Sequence, residues 1–465
     1  MRILILALCV LTAGLVAAPG RRQAARPDPR FEQLATLVTQ KMAEYHIPGV
    51  ALGVMRDGQA TTRGFGVTNV DDPQPVTPDT VFALASISKT VTATAIMKLA
   101  AQGKVDLRAP VRTYLPDFRV ADEAASRDVT ILDLLTHTAG WEGQLTVPDH
   151  GTNTLADFVA SMKDLPQLAP PGRVWSYNNA GFSVAGRVIE VVTGRSFQEA
   201  VRALVFQPAQ LASATTILGE VTTHRFAVGH RDRGGRTEVV RPFILSANPP
   251  AGGVAMNIVD LLGYAKFHLG DPALEVMRTP QVRKNATDDD MGIGWQLRTV
   301  GGVRTAAHGG TASGGLCLLL ELVPERHLAF AILTNHTSGW RLIQDVERSL
   351  LQSYEQVVLA PNQAIAHRGV DETMAHATAL AVQPAAAEYV GTYARTPVGN
   401  ITVRTEAGTM FVGGAGGGAG TAILFYAPDR AFMIDGTSAG LPVEFIREPD
   451  GQVRWIRVDG RIGRR

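Results

Sequence analysis

Val81-Phe82-Ala83-Leu84-Ala85-Ser86-Ile87-Ser88-Lys89 is the stretch on which the reading of this chain turns. It places a hydroxyl at Ser86 and an amine at Lys89, i and i+3, neighbours on one helix face. The apolar positions that follow, among them Val91, Ala95, Met97 and Leu99, predict a helix running to about Gly103. A serine hydroxyl is a weak nucleophile until a base takes its proton. An amine can act as that base once burial or nearby cations bring its pKa down from about 10.4. A serine at a helix N-terminus also lies near backbone N–H groups that stabilise negative charge. Ser-x-x-Lys alone is common, and a capping serine with a surface lysine explains most instances. The pair needs partners elsewhere.

Two further segments supply them. Pro171-Gly172-Arg173-Val174-Trp175-Ser176 leads into Tyr177-Asn178-Asn179, a phenol and an amide two residues apart in a turn. A phenolate held near Lys89 could take or relay a proton, while the Asn179 amide orients the lysine or the substrate. His308-Gly309-Gly310-Thr311 enters a predicted strand, where glycines let a substrate approach the backbone and a strand-edge N–H can complete an oxyanion site. Read singly, Tyr177 is a loop tyrosine and His308 a structural histidine.

In this order the three segments resemble the serine β-lactamase and penicillin-binding family, in particular its class C β-lactamase, D,D-peptidase and esterase branch. Flanking segments resemble it too: Leu134-Leu135-Thr136-His137-Thr138-Ala139-Gly140, Ala251-Gly252-Gly253-Val254 and Met291-Gly292-Ile293-Gly294-Trp295. The resemblance covers about residues 30–355. It implies acylation of Ser86, deprotonation assisted by Lys89, and Tyr177 as general base or proton relay. It implies further that Asn179 binds the substrate amide or Lys89, and that the N–H groups of Ser86 and Thr311 form the oxyanion hole. One departure stands out. His308 occupies the place where these β-lactamases usually carry a lysine, a permanent cation suited to a substrate carboxylate, whereas histidine is mostly neutral at pH 7. The expected reaction is therefore hydrolysis of an ester, a β-lactam or a short peptide amide, with efficient β-lactam turnover disfavoured. D,D-carboxypeptidase or D-aminopeptidase activity is the alternative. A non-catalytic binding or cell-wall-sensing protein with the same fold is the remote one.

Outward from the motifs, the pattern predicts an α+β body with a mainly antiparallel sheet covered by helices. Phe31, Leu34, Val38 and Met42 have helical spacing, and Val50 to Val54 alternate before a turn at Asp57-Gly58. Thr130/Asp133 and Ser196/Glu199 read as capping boxes, and a helix from about Gly181 stops at Gly194. Strands are expected at Leu316–Val323 and Leu328–Leu333, and a last helix through Ile343, Val346, Leu350, Tyr354 and Val357. The resemblance adds a helical subdomain at about residues 90–250. Residues 359–384 read as a linker. Residues 385–465 carry short strands at 401–403, 410–412, 423–425, 443–445 and 453–455, which predicts a small all-β domain, a barrel or a sandwich. It resembles the lipocalin-like domains attached to some peptidases of the family, a candidate for covering the cleft, selecting substrates or joining subunits.

The remaining signals bound the function. The chain has 465 residues, with 44 basic against 43 acidic side chains, a formal net charge of +1, and no sign of a nucleic-acid partner. Residues 1–25 read as an export signal, an apolar run from Ile3 to Ala18 too short to span a bilayer. The expected location is secreted or periplasmic, with no stable membrane span after cleavage. Cys317 would then be the remaining cysteine, read as a buried strand thiol. Gly436-Thr437-Ser438-Ala439-Gly440 mimics a nucleophile elbow but precedes a strand, and the glycine run 413–420 lacks a Lys-Ser/Thr pair. No metal and no cofactor is expected, and His137 has no second ligand at metal-binding spacing.

Overall fold

The structure is a computed structural model. It describes residues 28–144, 154–243, 245–246, 248–284, 289–312, 314–358, 379–395, 399–414, 420–435 and 440–465. The expected export signal, residues 359–378 of the expected linker, residues 415–419 of the glycine run and residues 436–439 of the elbow mimic lie outside the described residues.

The fold is mixed α+β, with two separate eight-stranded sheets. The chain enters through α1 (Pro29–Glu44), capped by Asp28, whose side chain accepts from the Arg30 N–H. The hairpin β1 (Gly49–Arg56) and β2 (Gln59–Gly66) follows, its Asp57-Gly58 turn held at φ of 50° and 74°. Then come β3 (Phe82–Ala83) and α2 (Ser88–Ala101). A largely helical section follows: α3 (Glu123–Asp128), α4 (Ile131–Leu135), α5 (Leu155–Ser161), α6 (Asn179–Thr193), α7 (Phe197–Val201) and α8 (Leu218–Val221). The hairpin β4 (His230–Arg233) and β5 (Arg236–Val239) leads to α9 (Pro249–Gly252), β6 (Ala255–Met256) and α10 (Ile258–Gly270). The body closes with β7 (Val282–Arg283), β8 (Asp290–Met291), β9 (Gln296–Val300), β10 (Val303–Ala312), β11 (Leu316–Val323), β12 (Leu328–Thr334) and α11 (Gly339–Glu355).

The body sheet runs β2-β1-β12-β11-β10-β9-β8-β7, and every pairing in it is antiparallel. Its central strands are buried on both faces. In β11, Leu318, Leu320 and Leu322 join the core on the α10 side, while Cys317, Leu319 and Val323 join the core under α1 and α11. Side-chain alternation is intact here, but both sides are dry, so the sequence reads as a continuous apolar run. β1 behaves likewise: Val50 to Met55 are all buried. Both capping boxes form as expected: Thr130 Oγ1 accepts from the Asp133 N–H, Ser196 Oγ from the Glu199 N–H, and each carboxylate accepts in return.

The second sheet is an up-and-down meander: β13 (Gly391–Tyr393), β14 (Ile401–Glu406), β15 (Thr409–Gly414), β16 (Thr421–Ala427), β17 (Arg430–Met433), β18 (Pro442–Arg447), β19 (Val453–Val458) and β20 (Arg461–Arg464). Ala394, just past β13, exchanges both backbone hydrogen bonds with Arg464 of β20, at 2.6 and 2.9 Å. First and last strands thus meet. The domain is a barrel and not a sandwich, lined by Tyr389, Tyr393, Phe425 and Phe445 among others. Three of its strands, β13, β17 and β20, were not expected from the sequence. Among the described residues no helix is long and apolar enough to cross a membrane.

Candidate active site

Ser86 lies on a single 3-10 turn, Ala85–Ile87, that runs directly into α2. The expected helix therefore begins two residues later than Ser86, and Ser86 is not its capping residue. Ala85 takes a φ of 47°, a left-handed conformation uncommon for alanine, immediately before the serine. The turn is braced from the Ala251–Val254 segment. The Leu84 N–H donates to Val254 O at 2.8 Å, and the Val254 N–H donates to Ser88 Oγ at 2.9 Å.

Lys89 is fully buried. Its Nζ donates to Ser86 Oγ at 3.2 Å and to Ala251 O at 2.7 Å. The i, i+3 spacing thus brings hydroxyl and amine together, and the Ala251 carbonyl fixes the amine from the far side. Two rings flank it, with Nζ 5.0 Å from the Tyr177 ring centroid and 5.7 Å from that of Phe182 on α6.

Tyr177 sits in the turn before α6, and four successive backbone N–H groups hold that turn. Ser176 N–H donates to His137 O at 2.8 Å, Tyr177 N–H to Gly460 O at 2.8 Å, and Asn179 N–H to Gly143 O at 2.8 Å. Asn178 N–H donates to His137 Nδ1 at 2.9 Å, and the Asn178 side chain caps α6 by accepting from the Gly181 N–H. Gly143 has to be glycine, because a Cβ there would lie 2.2 Å from Tyr177 O. Asn179 is the first residue of α6 and is partly exposed.

His137 is the residue whose part the sequence reading missed. It is buried, and its ring lies 4.5 Å from that of Tyr177 and 5.2 Å from that of Phe182. Because Nδ1 accepts from Asn178, a neutral ring carries its proton on Nε2. Burial, then the charge of Lys89, holds this imidazole well below the usual histidine range, so it is neutral near pH 7. Its signal was the Leu-Leu-Thr-His-Thr-Ala-Gly segment, which marked a family but implied no partner.

His308, Gly309, Gly310 and Thr311 all lie on β10. β9 pairs with β10 only over Val303–Ala307, so from His308 to Ala312 that edge is clear of β9, while β11 continues along the other edge. The Ser86 turn packs closely on β10 at Gly310, where a Cβ would fall 2.4 Å from Leu84 O and 3.3 Å from Ala85 Cβ. On Gly309 it would fall 2.6 Å from the Trp340 ring. Trp340 Nε1 donates to Thr311 Oγ1 at 2.9 Å. The buried His308 pairs Nδ1 with Gly309 O at 2.7 Å, and since a carbonyl only accepts, Nδ1 carries a proton. Its ring centroid is 6.4 Å from that of Tyr177.

The fourth side of the site comes from the C-terminal barrel. Besides Gly460 O on Tyr177, Ile462 N–H donates to Ser176 Oγ at 3.2 Å, Arg457 Nε to Trp175 O at 3.2 Å, and Trp455 Nε1 to Leu168 O at 2.8 Å. Leu168, Ala169 and Val174 of the body share an apolar cluster with Trp455 and Ile462 of the barrel. Arg461 places its guanidinium carbon 5.4 Å from the Tyr177 ring centroid.

With this geometry in view, the comparisons fall into place. The beta-lactamase family profile matches residues 34–354. Penicillin-binding protein 4 of Amycolatopsis lactamdurans is 33% identical over 342 residues, covering 69% of this chain and 88% of that protein. The crystal structure of SurE aligns with a TM-score of 0.76 at 25% identity, over 94% of this chain and 99% of SurE, so the likeness extends through the barrel. The octameric penicillin-binding protein homologue from Pyrococcus abyssi aligns with a TM-score of 0.63 at 21% identity, over 93% of this chain and 100% of that one.

Proposed function

The chain belongs to the beta-lactamase family, and we propose that it is an exported serine hydrolase working through an acyl-enzyme on Ser86. Esters and short peptide amides are the proposed substrates, ahead of β-lactams. The observation that carries this reading is the buried Lys89 amine 3.2 Å from Ser86 Oγ, beside the Tyr177 ring.

In the proposed reaction Ser86 Oγ attacks the substrate carbonyl carbon, its proton passing to Tyr177 with Lys89 assisting. The carbonyl electron pair moves to oxygen, which the N–H groups of Ser86 and Thr311 stabilise. Collapse of the tetrahedral intermediate breaks the bond to the leaving group, which takes the proton from Tyr177. Water, deprotonated by Tyr177, then attacks the acyl carbon, and as the bond to Ser86 Oγ breaks that oxygen takes the proton back from Tyr177, releasing the acid and restoring the starting state. Asn179, at the mouth of the same turn, binds the substrate amide or Lys89. His308 disfavours penicillins and cephalosporins, since it replaces the permanent cation that would hold their carboxylate.

The second reading, D,D-carboxypeptidase or D-aminopeptidase activity, is the alternative the sequence resemblance implies, and SurE, which this chain resembles, has been solved with D-Leu. One experiment separates the readings: turnover of short-chain p-nitrophenyl esters, a chromogenic cephalosporin and D-Ala-D-Ala peptides, side by side, with Ser86→Ala as control. The expected result is Ser86-dependent ester hydrolysis with weak lactam turnover. Fast cephalosporin hydrolysis would reverse the substrate order, and peptide turnover above ester turnover would establish the second reading.

A further inference from the structure

Of the four N–H groups that hold the Tyr177 turn, three are bound from within the body, by His137 and Gly143. The fourth, that of Tyr177 itself, is bound by Gly460 at the tip of the β19–β20 hairpin. The same tip carries Arg461, buried, with its guanidinium near the Tyr177 ring. Gly460 takes a φ of 72°, and a Cβ there would meet the Trp175 ring at 3.4 Å, so the tip is fitted closely to this wall of the site.

We propose that the C-terminal barrel is a positioning element of the active site, its Gly460 carbonyl fixing the Tyr177 main chain and its Arg461 guanidinium favouring the Tyr177 phenolate. This rests on the reading of Tyr177 as the base and deepens it. Cations close to a phenol favour its ionised form, and an arginine remains charged across the whole working pH range. Several titratable groups face Tyr177. Lys89 approaches from α2, His308 from β10, the neutral His137 from the loop after α4, and Arg461 from the barrel. Among the described carboxylates, Glu142, next to Gly143, pairs with Arg395 at 3.5 Å, and Glu444 pairs with Arg457. Asp459 Oδ2 lies 3.9 Å from Arg461 but is half exposed, so solvent screens it and the buried guanidinium dominates at the ring. Lys89 belongs to the nucleophile side, whereas Arg461 is a second cation brought by another domain. Tyr177 therefore becomes fully competent as a base only with the barrel docked.

The test is the pH profile of kcat/KM for an uncharged p-nitrophenyl ester. A base must be deprotonated to act, so its pKa sets the acid limb, and losing a neighbouring cation moves that limb to higher pH. Arg461→Met is expected to move the limb up by about one pH unit, with kcat falling and KM little changed. Arg461→Lys is expected to restore most of it. Asp459→Asn, at an exposed turn position with φ of 48° that asparagine tolerates, removes the countercharge and is expected to move the limb slightly down. That variant carries the test if Arg461→Met does not fold. An acid limb unmoved in both variants, with Ser86-dependent labelling intact, would overturn the proposal. So would a loss confined to carboxylate-bearing substrates, which would make Arg461 a substrate anchor. Absence of Ser86-dependent labelling in the wild type would instead sink the hydrolase reading beneath it.

Discussion

The two walls of the cleft are built on different plans. Among the described residues the bonds that hold the Ser86–Lys89 wall come from the body: Val254 holds the turn, Ala251 holds the amine, and Pro250 O accepts from Thr92 Oγ1 one helical turn on. The Tyr177 wall is shared, with the barrel supplying Gly460 O, Arg457 Nε and the Ile462 N–H to three consecutive residues, Trp175 to Tyr177. The proposed nucleophile, set within one unit, and the proposed base, set at a junction, should respond differently to mutation. Damage to the first removes chemistry at constant geometry. Damage to the second alters geometry and electrostatics together.

The largest effect should come from the body wall. Lys89→Ala is expected to lower kcat/KM by about a hundredfold or more, within the range for loss of a positioned proton-transfer group. A loss smaller than about tenfold would remove the proton role from Lys89 and make the walls less unequal. Next is the junction. Trp455→Ala empties the shared apolar cluster and breaks the bond to Leu168 O, with an expected cost of about 3–5 kcal/mol by chemical denaturation. If the walls differ as described, the folded fraction of this variant should also lose ester turnover while Ser86 still labels with a fluorophosphonate.

His137 sharpens the comparison through pH. Its folded-state pKa is depressed by burial, then by Lys89, so below about pH 6.5 the unfolded chain takes up a proton that the folded chain refuses. Stability is therefore fully present above that pH and falls as pH drops through it. His137→Gln should flatten the decline of Tm between about pH 6.5 and 5 relative to wild type. An unchanged slope would mean that His137 titrates alike in the folded and the unfolded chain. Smallest is Thr130→Ala, which removes half of the capping box on α4 ahead of His137. An expected cost of about 1 kcal/mol with unaltered kcat would place it outside both walls.

The same division decides what could be read from the sequence. Ser86 and Lys89 meet because three residues make nearly one helical turn, so local spacing sufficed for that pair. The capping boxes at Thr130 and Ser196 and the stop at Gly194 are equally local. Strand β1 was read from its alternation, which does not say whether a helix covers the second face, as α10 does here. Arg457 meets Trp175 across 282 residues of sequence, and no periodicity reports such a docking. Arg461-Ile462-Gly463-Arg464 reads as a charged tail until its partners, Ser176 and Ala394, are known.

The central claim is that Ser86, activated by a buried Lys89, forms the acyl-enzyme. Intact-protein mass spectrometry after brief exposure to a p-nitrophenyl ester or a fluorophosphonate, with peptide mapping, tests it most directly. One adduct is expected, on Ser86, absent from Ser86→Ala and much slower to form in Lys89→Ala. An adduct on another residue, or none in protein shown to be folded, would contradict it.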